Sequence, residues 1–199
     1  MPFPSTGIPV NASRVLDDPT APAWAAETAR WARDELGTPV PALGRPGTLC
    51  PYMPRALREE RVELTECGLP GVCATDLVTH LRRSAREFAE EAGRLAPAQA
   101  LLSCRIVVYT ALAVPDRVLT EVRRRVKPHL LAQGLTTGEF FPENNDRSVR
   151  NPTVPIARSP WPALVLRHST PHDRIFLADQ PDLYRVFREA GPGITATAA

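Results

Sequence analysis

His168 closes the segment "ALVLRH", and its surroundings decide which chemistry the chain can offer. If residues 163–168 form a strand, a period of two sends Leu164, Leu166 and His168 to one face and Ala163, Val165 and Arg167 to the other. A histidine among leucines must satisfy both ring nitrogens. Three roles meet that demand: a core histidine bonded to backbone, a general base, or an axial ligand of haem iron. As a ligand it would bind iron through one nitrogen while a carbonyl or carboxylate oriented the other, with Leu164 and Leu166 walling the macrocycle. Asp173, five residues on, could be that second partner. His80 is the next ligand candidate, His129 reads as a dipole partner at a helix C-terminus, and His172 as part of a solvated turn.

Cys50 stands before a proline in "LCPYMP". A thiolate there could ligate haem iron or act as a nucleophile if Arg45 or Arg55 lowered its pKa; otherwise it is a small buried hydrophobe. The polar loop "ENNDRSVRNPTVPIARSP" leads directly into the His168 strand. In it, Arg158 and Ser159, with Arg150 and Asn151 nearby, could hold a carboxylate or a haem propionate through charge-assisted bonds. Glu139 in "GEFFP" sits beside two phenylalanines that could desolvate it, which suits an acid/base group or an anchor for a substrate amine.

Other classes lose their usual support. The chain has no GxGxxG, Walker loop, HExxH or GxSxG. A net charge of +2, with basic and acidic residues interspersed, gives no footprint for nucleic acid. No run approaches the roughly 18 apolar residues of a membrane span, and the first residues lack a basic region followed by an apolar core, so a cytoplasmic protein is expected. Cys50, Cys67, Cys73 and Cys104 show no CxxC and read as four free thiols without structural zinc. Lys127 is the only lysine, in a strongly basic segment, which argues against Schiff-base chemistry.

The elements that must position these residues follow from periodicity. Residues 1–22 carry five prolines and read as an N-terminal arm, ordered only if it packs on the body. A helix with Trp24, Thr28 and Trp31 on one stripe follows and stops at Gly37. After a Pro/Gly-rich loop come a short helix over 53–59, a strand over 61–67, and a long helix starting from Thr75 as N-cap. A strand over 104–112, a helix from Pro115 to Gly134 kinked at Pro128, a strand in "TTGEFFP" and the His168 strand complete the body. "DRIFLAD" reads as a short strand or turn, "QPDLYRVFREAG" as a terminal helix, and 192–199 as a frayed tail. This order predicts one α+β domain over 23–191, a single mixed sheet with long helices packed on it.

"LCPYMPRAL", "GEFFP" and "NPTVPIARSPWPALVLRH" followed by "DRIFL" resemble an uncharacterised family of bacterial proteins common in actinomycete biosynthetic gene clusters. The order of elements is more distantly similar to the YqcI/YcgG family, some members of which are haem-dependent N-hydroxylases of arginine-like guanidines or other amino-acid nitrogens. That family tends to carry Pro-Ala-His where this chain has Pro152, Thr153 and Val154, so an iron-binding role would pass to His168 or Cys50, or haem would be absent. The resemblance implies a haem b-dependent oxidative tailoring enzyme of specialised metabolism acting on a small nitrogen-bearing substrate. In that reading His168 is the axial ligand with Cys50 as alternative, Arg158 and Ser159 hold propionate or substrate carboxylate, and Glu139 contacts the substrate amine. The alternatives are a cofactor-free small-molecule-binding domain and a Cys- or His-dependent enzyme, cyclase-like or hydrolase-like. The expected partners are a small-molecule substrate and a second copy of the chain in a homodimer, with neither nucleic acid nor membrane.

Overall fold

The computed structural model describes residues 7–191 and 193. Its centre is a five-stranded mixed sheet built from β1 (Val10–Asn11), β2 (Val62–Glu66), β3 (Cys104–Val108), β4 (Leu135–Phe140) and β5 (Ala163–His168), in the order β1-β2-β3-β5-β4. β2 and β3 run parallel, and the other pairs are antiparallel. The parallel pair requires a crossover, supplied by α4 (Ala74–Ala92) and α5 (Pro97–Leu102). The result is the single α+β domain that the sequence predicts.

Alternation along the strands gives the sheet two apolar faces. Val62, Leu64, Ile106, Val108 and Ala163 pack against α1 (Ala12–Asp17), α2 (Ala23–Trp31) and α3 (Met53–Arg58). Val107, Leu135, Leu164 and Leu166 pack against α4 and α6 (Pro115–Leu131). Two small helices, α7 (Arg174–Leu177) and α8 (Pro181–Ala190), follow β5, and Leu177 and Phe187 close a third cluster on Leu131 of α6.

Several local expectations change. The Pro-rich arm is structured where it is described: β1 pairs with β2, and Asn11 caps α1 by accepting the amides of Ser13 and Arg14. Residues 1–6, and the 192–199 segment expected to fray apart from Gly193, lie outside the described residues. Cys73 rather than Thr75 caps α4, because Asp76 reaches back to its amide at 3.1 Å. "DRIFL" is helical, since the Thr170 hydroxyl and amide both bind Asp173 and start a turn that runs into α7. α2 continues through Leu36 as one π-helical turn, Ala32–Leu36. Gly37 ends it where a Cβ would lie 2.7 Å from the Arg33 carbonyl.

Candidate functional site

The sequence-predicted residues divide between the two faces of the sheet. His168 follows the period-two expectation and lies on the α4/α6 face, its ring 5.7 Å from that of Phe88. Both ring nitrogens are shielded from solvent and lack a hydrogen bond of good geometry. Burial lowers its pKa, with the backbone of Gly134 opposing the shift. Asp173 is not its partner. That carboxylate accepts two bonds from Arg167, at 2.5 and 2.9 Å, together with the Thr170 amide.

Glu139 shares the face of His168, but the register puts Glu139 opposite Leu164 and Leu135 opposite His168. The two are therefore about 13 Å apart along the strands. Glu139 is buried and paired with Arg123 of α6. Burial pushes its pKa up against the pull of Arg123. Phe140 is not what desolvates it: its ring turns to the opposite face, where it meets Trp31 edge-on at 5.2 Å.

Cys50 belongs to the other face. Its amide donates to the Leu36 carbonyl at 3.0 Å and so ties down the end of the π turn. The arginines expected to activate it are engaged elsewhere, Arg45 on the carbonyls of Thr48 and Leu49 and Arg55 on Glu59. Arg167 and Cys104 are the groups within its electrostatic reach. All four cysteines are free thiols, as the sequence suggests.

A haem fit can be tested on these positions. The ring nitrogens of His168 are enclosed against Phe88 rather than presented to a cleft, and Cys50 lies across the sheet. Arg158 and Ser159 line a cleft that contains neither. The set does not converge on one macrocycle, so these residues do not fit haem as a group. Among the described residues no cluster of three or more His, Cys, Asp or Glu could hold a metal ion, and no helix is long and apolar enough to cross a membrane.

The structure instead gathers Arg158 and Ser159 with Pro160, Pro142, Glu27, Arg30, Trp31, Asp34 and Glu35 around a cleft of ≈ 570 Å³. One wall is α2 and its π turn; such turns are rare and are frequent at functional sites. The other is the end of the polar loop, fastened by two indoles. Trp31 Nε1 donates to the Arg158 carbonyl at 2.8 Å, and Trp161 Nε1 donates to Glu27 Oε2 at 2.8 Å. Ser159 spends its hydroxyl on the Trp161 carbonyl at 2.6 Å, which makes it a positioning residue. The Arg158 side chain is exposed and has no ion-pair partner among the described residues; it makes only long contacts to Asn144 and Asn145. Glu35 is exposed, and the desolvation it keeps, together with the neighbouring Asp34, raises its carboxyl from the ordinary value.

Residues 25–193 match the family described as Domain of unknown function (DUF6875). The chain belongs to that family. No curated protein and no solved structure matches it. Sequence reasoning reached Arg158 and Ser159 but missed Glu27, Arg30, Asp34 and Glu35; Trp31, on the predicted stripe, is a buried packing residue. The signal was present: Glu27, Trp31 and Glu35 recur every four residues and so lie on one helical stripe.

Proposed function

We propose that this DUF6875 protein binds a small, nitrogen-bearing, amino-acid-derived molecule in the cleft beside Trp31 and acts on it as a tailoring enzyme of specialised metabolism. The observation that supports this reading is the opposition of charge between α2 and the loop that Trp31 ties down. Glu27 and Glu35 flank Trp31 along the helix, and Arg158 stands without an ion-pair partner on the loop that Trp31 ties down. A free guanidinium in a cleft is suited to a carboxylate, which it can take through two parallel bonds. Glu27, held in one orientation by Trp161, is suited to the ammonium or guanidinium end of the same molecule. Trp31, itself buried, holds the two sides at a fixed spacing through its bond to the Arg158 carbonyl. A cleft of ≈ 570 Å³ suffices for an amino-acid derivative.

Within that arrangement Glu35 is the proton-handling group. Glu35 lines the cleft on the Glu27–Trp31 stripe, which places its carboxyl to exchange a proton with a nitrogen held nearby. No step in this reading runs through haem.

Calorimetric titration with L-arginine, which carries both a carboxylate and a guanidinium, tests it. Saturable binding is expected, weakened about tenfold or more by Arg158→Ala through loss of a charge-assisted pair. Because Arg158 is exposed, that variant should fold as the wild type does. L-Arginine that fails to bind, or that binds the variant equally well, would overturn the assignment of the cleft.

A further inference from the structure

Lys127, the chain's only lysine, is 9% exposed and sits on α6 above β4. Among the described residues it makes no hydrogen bond and no ion pair. The carboxylates around it already have cations of their own. Glu139 is held by Arg123, Asp173 by Arg167, Glu121 by Arg124 and Asp182 by Arg185. The lysine is therefore a surplus positive charge in a largely dehydrated place, an arrangement that is costly unless an anion completes it.

Its surroundings are open to such an anion. Lys127 lines a cleft of ≈ 280 Å³ with Arg123, Arg124, Gln180, Pro181, Asp182 and Leu183. The last four form the N-terminus of α8, a ten-residue helix whose N-cap, Gln180, contributes no side-chain bond. Pro181 has no N–H to give, and Tyr184 is the first residue to bond back into the helix, at 2.9 Å to the Gln180 carbonyl. The amides of Asp182 and Leu183 are left for an outside acceptor, and the helix dipole adds to the positive potential there. Burial, with Arg123 adding to it, lowers the Lys127 pKa, and Glu139 and Asp173 only partly oppose the shift. A bound anion would reverse it.

We infer that this cleft is an oxyanion site, taking the phosphate or carboxylate group of a small molecule against Lys127, Arg124 and the first amides of α8. It is independent of the Trp31 cleft and shares no residue with it.

A single lysine makes the test direct. Protein carrying ¹³C,¹⁵N-labelled lysine gives one lysine side-chain signal, and titration with inorganic phosphate should move it saturably while raising the thermal midpoint. Acetate in a parallel titration reports the carboxylate alternative, and a saturable shift with either anion supports the site. Lys127→Met should abolish the midpoint response. Arg124→Ala, at a side chain that is 71% exposed and therefore safe for folding, should weaken the anion response about tenfold. A lysine signal that moves no more with either anion than with matched sodium chloride would overturn the inference. So would variants that respond to phosphate as the wild type does.

Discussion

Replacing Asp173 by Asn removes one charge from the most completely satisfied ion pair in the structure and changes almost nothing in shape. Asp173 is 4% exposed and accepts from both terminal nitrogens of Arg167 and from the Thr170 amide and hydroxyl. Removing one partner of a fully buried pair costs about 3–5 kcal/mol, because the other charge is left uncompensated. Here Arg167 is 31% exposed, so water can partly replace the carboxylate, and Asn can still accept from Thr170. A loss of about 2–3 kcal/mol at pH 7 follows. At about 2–4 °C per kcal/mol for a chain of this size, the thermal midpoint should fall by about 4–12 °C.

The pH dependence separates this cause from a packing defect. Burial alone would raise the Asp173 pKa, but the Arg167 guanidinium and the Thr170 groups outweigh it and hold the carboxyl below its ordinary value of 3.8. A depressed folded pKa gives stability that is complete above the unfolded pKa and is lost as pH falls through the folded one. The gap between wild type and Asp173→Asn should therefore be constant from pH 7 to about 5 and close below about pH 4. Urea titrations at each pH, with the denaturant slope checked for constancy, measure it. A variant within about 0.5 kcal/mol of wild type at pH 7, or a gap that persists unchanged at the lowest pH where both fold, would refute the reasoning.

Arg105 gives an asymmetric expectation. It is 1% exposed, bonded to Glu63 at 2.8 and 3.0 Å and to Glu91 at 2.5 Å, and stacked 5.8 Å from the Phe88 centroid. Arg105→Met leaves behind two carboxylates that are 35% and 46% exposed and can be hydrated, so it should cost less than about 1.5 kcal/mol. The double variant Glu63→Ala/Glu91→Ala strands a buried guanidinium and should cost about 3–5 kcal/mol; the reverse order in urea denaturation would contradict this account. The absorption spectrum tests the haem geometry. Protein from cells supplied with a haem precursor should show no stoichiometric Soret band, since His168 lies on the face opposite Arg158 and Ser159, and Cys50 does not line their cleft. A stoichiometric band lost in His168→Ala would reverse that conclusion.

What could be read from the sequence depended on the range over which each signal acts. The face of His168 is a matter of period two within six residues, and it came out as expected because alternation is local. The same rule sends Phe140 to the face opposite Glu139, whereas Phe141 stays with the α4/α6 cluster, and burial raises the Glu139 carboxyl against the pull of Arg123. Which residues share a cleft is a different kind of fact, set by which helices cover which face of the sheet. Arg158 meets Glu27 and Glu35 only because α2 lies over the face on which Trp31 and Phe140 pack, a contact spanning more than a hundred residues. Lys127 shows the limit in the other direction. In sequence it is one cation in a basic run, indistinguishable from a solvated surface. Only the docking of α8 reveals that its neighbours are all paired and that it alone awaits a counter-charge.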